Sequence, residues 1–134
     1  MGKRGEPLEV RDAHYPSMVQ IDAYGNGGFR FADMSHRGSL MCVPSGVYGW
    51  EPKTFEEITD EALEQVLQES DGIEVLLIGA GDELKPFPEA RKAPFREKGI
   101  MVDSMSTGAA VRTYNVLLNE DRAVAAVFIA VENT

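Results

Sequence analysis

Cysteine occurs once in the 134 residues, at Cys42, which excludes an internal disulfide and any metal cluster built on cysteines, and fits a reducing compartment. Histidine occurs twice, at His14 and His36, so a zinc site would need carboxylates at spacings the chain does not display; no metal or other cofactor is expected. No apolar run approaches the ~20 residues of a membrane-spanning helix. Nor does an apolar stretch follow the opening MGKRGEPLEVRD to make a secretory signal. The expected location is the cytoplasm of a bacterium or an equivalent matrix-like compartment, with peripheral membrane association left open. Basic residues are also scarce. Thirteen stand against twenty-two acidic ones for a net charge of −9, and so acidic a protein is a poor partner for a polyanion, which removes nucleic acid as a ligand.

What is present has the composition of an ordinary folded protein, 43% hydrophobic and 26% charged. The length suits a single domain over residues 1–134, with a core over about residues 17–131 and a loose stretch at residues 1–14. Charge is uneven: residues 51–74 hold nine acidic residues and one base, Lys53, whereas residues 85–98 hold five bases and two acids. Such asymmetry orients a protein partner or simply solvates a helix face.

The first half of the chain is β-rich. SMVQIDAYG alternates partially, Asn26-Gly27-Gly28 supplies a tight turn, and FRFAD continues as the partner strand. GSLMCVPSGVYGW offers two short strands broken at Pro44, Ser45 and Gly46. From Thr54 the period becomes helical: Thr54 and Glu57 have capping-box spacing, Ala62, Leu63, Val66 and Leu67 mark one apolar face, and Gly72 suits a left-handed terminator near Ser70. The second half reads β-α-β-α-β: IEVLLIG, then a short helix from Pro88 with a break at Pro94, then IMVDSM, the helix STGAAVRTYNVLLN, and RAVAAVFIAV. The fold class is therefore α/β.

VLLIGAGDELKPFP, residues 75–88, looks like the start of a dinucleotide-binding unit. Gly79 and Gly81 are in place, but Leu84 occupies the third glycine position, and Lys85-Pro86-Phe87-Pro88 cannot open a long helix whose N-terminus faces a phosphate. A phosphate loop with Gly-Lys-Ser/Thr is absent too. The turn then serves either close backbone packing or a ligand.

The helix opening at Thr107 is apolar on several faces, which suggests that it is sandwiched between layers. Arg112, Asn115 and Asn119 form one polar stripe along it, and a semi-buried Arg112 would need a partner, either a ligand or a carboxylate such as Asp82 or Asp103. Ser106 or Thr107 would cap the first turn, whose free N–H groups favour an anion brought near by the Gly79–Gly81 turn. The candidate ligand- or partner-binding residues are Gly79, Gly81, Asp82, Thr107, Arg112 and Asn115. No catalytic residues are assigned: Ser35 and His36 are merely adjacent, and nothing in the spacing assembles Cys42, His14 and His36.

VLLIGAGDELKPFP, GIMVDSMSTGAAVRTYNVLLNEDRAVAAVFI and, more weakly, IDAYGNGGFRF with VYGW resemble the small-domain family that includes mitochondrial NADH dehydrogenase assembly factor 3 and a vertebrate adipogenesis-associated protein. The resemblance covers most of residues 17–131 and is sharpest at Met105, Thr107, Ala109, Ala110, Arg112, Thr113, Tyr114 and Asn115. Val111 stands where relatives often carry a cysteine. The resemblance implies a three-layer α/β arrangement with a mixed central sheet and no established enzymatic activity. It also implies a protein partner, by analogy with the mitochondrial member's work on complex I subunits and assembly proteins at the inner membrane. The expected function is a non-catalytic binding protein that assists assembly of a membrane-associated complex; the alternative is a small-molecule or anion binder, or an enzyme, using the Gly79–Gly81 turn and the Thr107–Arg112 helix start. The oligomeric state is left open by the sequence.

Overall fold

The computed structural model describes residues 13–132; the expected loose stretch at residues 1–14 falls almost wholly outside them. Strand β1 spans Ala13–Tyr15, and β2 (Ala23–Gly25), β3 (Gly28–Phe31) and β4 (Met34–Arg37) form a small antiparallel sheet. The Asn26-Gly27 turn behaves as its residues dictate, with φ of 53° and 78°, the left-handed pair that matches the twist of a two-residue hairpin. A second such turn, at Ala32 and Asp33 with φ of 47° and 60°, leads into β4 and carries no glycine to announce it.

Strands β5 (Ser39–Val43) and β6 (Gly46–Trp50) pair across Pro44 and Ser45 as expected. With β7 (Val75–Gly79), β8 (Met101–Met105) and β9 (Val124–Phe128) they build the central sheet, whose order among the described residues is β1-β6-β5-β9-β7-β8. β7 is parallel to both β8 and β9, whereas β5 is antiparallel to β9 and β6, so the sheet is mixed.

Side chains alternate across the sheet, which divides the core in two. Met41, Val43, Leu76, Ile78 and Val127 face one layer, closed by Ile58, Leu63, Val66, Phe87 and Phe95. Leu40, Cys42, Leu77, Ala126 and Phe128 face the other, closed by helix α3 (Thr107–Asn119) and by Phe29 and Phe31 of the small sheet. Phe128 joins all three parts: its ring lies 5.7 Å from that of Phe29 and 5.6 Å edge-on from that of Tyr114. This is the three-layer arrangement with a mixed central sheet that the family resemblance implies.

Five local expectations fail. Residues 54–70 are not one helix but 3-10 turns at Phe55–Glu57 and Glu61–Leu63, a short helix α1 (Glu64–Gln68) and a further turn at Ser70–Gly72. The capping box does not form, because Glu57 accepts instead from the Lys53 N–H at 2.8 Å and Thr54 makes no side-chain cap. The break lies at Ile58, whose side chain is buried and whose carbonyl turns out to accept from Arg91 at 2.9 Å instead of joining a helical ladder. Gly72 has no left-handed φ; the left-handed terminators are Gly99 at +79° after the second helix and Asp121 at 59° after α3.

Helix α2 (Glu89–Glu97) runs through Pro94 instead of breaking there. The N–H that proline lacks would have met the carbonyl of Ala90, and both residues are exposed, so that carbonyl lies within reach of solvent. Helix α3 is not sandwiched either. Thr107, Ala110, Val111 and Tyr114 face the sheet, while Val116 on the far side is 55% exposed. Among the described residues no helix is long and apolar enough to cross a membrane.

The interior has a titratable group with a pH consequence. Burial pushes the Cys42 thiol up to about 12, a side-chain hydrogen bond with Tyr114 acting weakly the other way. Tyr114 is raised as well, first by burial and then by Cys42. A raised thiol stays protonated in the folded chain while the unfolded chain ionises, so Cys42 favours the fold fully below about pH 9 and this contribution is lost as pH climbs towards 12. Chemical-denaturation midpoints measured from pH 8 to 11 should fall more steeply for the wild type than for Cys42→Ala, and equal slopes would show that the thiol does not titrate in this way.

Candidate functional site

The glycine turn proves to be a junction of β7, β9 and α3. A Cβ on Gly79 would lie 3.0 Å from the Thr107 Cα and 3.2 Å from the Phe128 ring, tighter than ordinary contact, so glycine lets the start of α3 sit this close to the strand without displacing a neighbour. Gly81, at φ +115°, turns the chain away. The Thr107 hydroxyl donates to the Ile129 carbonyl at 2.6 Å and accepts from the Gly81 N–H at 3.0 Å. The Thr107 N–H in turn donates to the Gly81 carbonyl at 2.8 Å, and the Ile129 N–H to the Gly79 carbonyl at 2.9 Å. Thr107 is wholly buried, so each of these bonds satisfies a group that water cannot reach.

Several of the donors that an anion would need are engaged within the chain. At the start of α3 the Thr107 N–H is taken by Gly81, the Ala109 N–H by the Ser106 side chain at 3.3 Å, and the Ala110 N–H by the Ser106 carbonyl at 2.9 Å. A Cβ on Gly108 would overlap the Tyr24 hydroxyl, which therefore lies against the opening turn.

The polar stripe divides into unlike roles. Asn115 presents Oδ1 to the Ile21 N–H and Nδ2 to the Ile21 carbonyl, both at 2.9 Å, as a neighbouring strand would. Tyr114 donates to the Val19 carbonyl at 2.8 Å. Together they hold the chain ahead of β2 against α3, and of SMVQIDAYG only Ala23–Gly25 joins a sheet. Arg112 is exposed, not semi-buried, and among the described residues it bonds neither Asp82 nor Asp103. The pairing of Asn115 with Ile21 went unnoticed in the sequence because an amide that pairs with a main chain looks like any polar residue on a helix, and Tyr114 stood out only within the family resemblance.

Gly81 and the exposed Asp82 line a cavity of about 370 Å³ at the carboxyl ends of β7 and β9, together with Lys53, Glu56, Glu83, Lys85 and Ala130. Open α/β sheets commonly bind ligands beyond the carboxyl ends of their strands. Here Lys85 is paired with Glu56 at 2.9 Å, which holds that exposed carboxylate below its ordinary range, and three acids against two lysines leave the opening with an acidic balance. Gly79, Gly81 and Thr107 thus come together, Asp82 stands at the rim, and Arg112 and Asn115 do not line the cavity. Cys42 is buried under α3 and His36 bonds the Ser39 carbonyl at 3.0 Å, so the two do not meet; the His14 side chain lies outside the described set. Among the described residues no three His, Cys, Asp or Glu side chains gather as a metal site.

The fold and this junction define a mixed-sheet α/β domain whose parallel strands end at a glycine turn bolted to a helix start. Residues 21–129 match the family described as protein of unknown function (DUF498/DUF598), and the chain belongs to that family. A crystal structure of a Bartonella henselae protein, described as an outer membrane protein, is 61% identical with a TM-score of 0.85 over 89% of this chain and 100% of that one. An uncharacterised protein of Rhodobacter capsulatus is 32% identical over 91% of this chain and 93% of its own length. The mouse protein NADH dehydrogenase (ubiquinone) 1 alpha subcomplex assembly factor 3 is 25% identical over 91% of this chain, which spans 66% of the mouse protein. The resemblance found in the sequence is therefore borne out.

Two substitutions separate bolt from surface. Thr107→Val, which leaves a buried N–H and carbonyl unmet, should lower unfolding free energy by about 1–3 kcal/mol. Arg112→Ala should stay within about 0.5 kcal/mol of the wild type. Urea titrations check both, and a large loss in Arg112→Ala would restore a structural role for that arginine.

Proposed function

We propose that this protein is a non-catalytic binding protein that assists assembly or maturation of a respiratory or other membrane-associated complex. The observation that carries this reading is the likeness, over 91% of this chain, to a protein named as an assembly factor of NADH dehydrogenase. The geometry is consistent with it: the buried polar groups at the glycine turn are engaged with one another, and the free charged groups, Arg112 and Asp82, stand on the surface where a partner meets them. In this reading Gly79, Gly81, Thr107 and Asn115 hold the shape of the surface, and Arg112 and Asp82 contact the partner. The partners are subunits or assembly proteins of the complex, met from the cytoplasm or a matrix-like space without a membrane-spanning helix from residues 13–132.

A second reading, a small-molecule binder or enzyme, is favoured by the cavity at the carboxyl ends of β7 and β9. Native mass spectrometry of gently purified protein would reveal its ligand.

Affinity capture from gently solubilised membranes of the native cells tests the first reading. The wild type should recover subunits of NADH dehydrogenase, and Arg112→Glu, which keeps the fold, should recover several-fold less. Recovery of no subunit after crosslinking would sink the assembly role.

A further inference from the structure

β8 closes one end of the central sheet, and its backbone has a definite phase. In a parallel ladder, alternate residues of an edge strand give both backbone groups to the inner neighbour and the others face outward. The Met101 N–H donates to the Glu74 carbonyl at 2.9 Å, and the Met105 carbonyl accepts from the Ala80 N–H at 2.8 Å. Met101, Asp103 and Met105 are therefore the residues bound to β7. Val102 and Ser104 turn N–H and C=O away from the sheet, and neither has another backbone hydrogen bond among the described residues. Exposed edges are ordinarily blunted by proline, lysine or a bulge. The strand MVDSM has none of these and one charged side chain, the exposed Asp103, whereas β1 at the opposite edge has three described residues with an irregular register.

The two faces beside this edge differ in chemistry. On the α3 face Met101 is 66% exposed, and Asp103, two residues on, is exposed as well. On the α2 face a cavity of about 410 Å³ is lined by Lys92, Arg96, Gly99, Ile100, Met101 and Val102. Lys92 and Arg96 share the single carboxylate of Glu89, and no acidic side chain lines the cavity, so this rim is cationic on a chain of net charge −9.

We propose that β8 is a docking edge for an extended acidic segment of a protein partner, which pairs with Val102 and Ser104 as an added strand. Successive side chains of a strand point to opposite faces, so the segment alternates acidic residues over Lys92 and Arg96 with apolar residues over Met101. A second copy of this chain does not fit. An antiparallel β8 pair places both α2 helices on one side of the seam and sets Lys92 and Arg96 against their own counterparts, a like-charge contact. The proposal rests on the protein-binding reading given above and adds where and what it binds.

A photoreactive benzoylphenylalanine placed singly at Met101, Arg30 or Glu61 of the full chain, irradiated in the native cells, tests it. The Met101 probe should crosslink a partner within a segment of alternating acidic and apolar residues. Ser104→Pro removes an outward N–H and, with it, the bond from the Ser104 hydroxyl to the Lys85 carbonyl, and leaves the β7 ladder intact; it should cut capture about tenfold relative to Ser104→Ala, which loses the hydroxyl alone, the equivalent of one lost strand hydrogen bond. The Lys92→Glu, Arg96→Glu double variant should lose capture to a similar degree. Should Ser104→Pro not fold, slowed amide exchange at Val102 and Ser104 in the wild-type complex serves in its place, and unchanged exchange there overturns the docking edge. Partner crosslinks from Arg30 or Glu61 alone, undiminished capture by folded Ser104→Pro, or a crosslink between two copies would also overturn it while leaving the assembly reading intact. Absence of a crosslinked partner from all three positions would remove both.

Discussion

One threonine hydroxyl sets the arrangement of the strand ends. Thr107 accepts from the turn after β7 and donates to the chain leaving β9, and it does so from the first position of α3. Two adjacent parallel strands and the helix that covers them are thereby tied at one buried point. Gly79 favours the close approach, because a side chain there would press on Thr107 and Phe128. What resembles a nucleotide-binding signature packs a helix start against a strand, and the same short distance engages the N–H groups of Gly81, Thr107, Ala109 and Ala110 within the chain.

Much of this architecture was legible from pattern alone. The β-α-β-α-β half follows from continuous apolar strands separated by helical periods, and the first hairpin from Asn26-Gly27. The mixed order of the sheet was not readable from pattern, since strand direction depends on how β5 and β9 meet across 86 residues of chain; only the family resemblance supplied it. Residues 54–70 misled for a physical reason. Their apolar spacing is helical, but Ile58 enters the core and its carbonyl is claimed by Arg91, whose guanidinium also lies 4.7 Å over the Phe87 ring. Local periodicity does not see a cation arriving from 33 residues away.

The candidate site was legible in part. Gly79, Gly81 and Thr107 do converge, because a strand end, a tight turn and a capped helix must lie together in a β-α unit. Arg112 and Asn115 share a stripe in sequence but diverge in use. Position on the helix explains the difference: Asn115 faces the chain around Ile21, whereas Arg112 faces solvent beside Gly108. Val111, next to Arg112, is only 4% exposed and packs into the core, so neighbouring positions on one turn of α3 serve interior and surface.

The bonds between Asn115 and Ile21 span 94 positions of sequence. Synthesis runs from the N-terminus at roughly 5–20 residues per second, so the segment around Ile21 exists for roughly 5–20 seconds before its anchor has been made. During that interval Phe29 and Phe31 have no α3 beside them and Phe128 has not been added. The small sheet is thus first to be made and among the last to be seated, and for that time its aromatic face is open to whatever binds nascent chains.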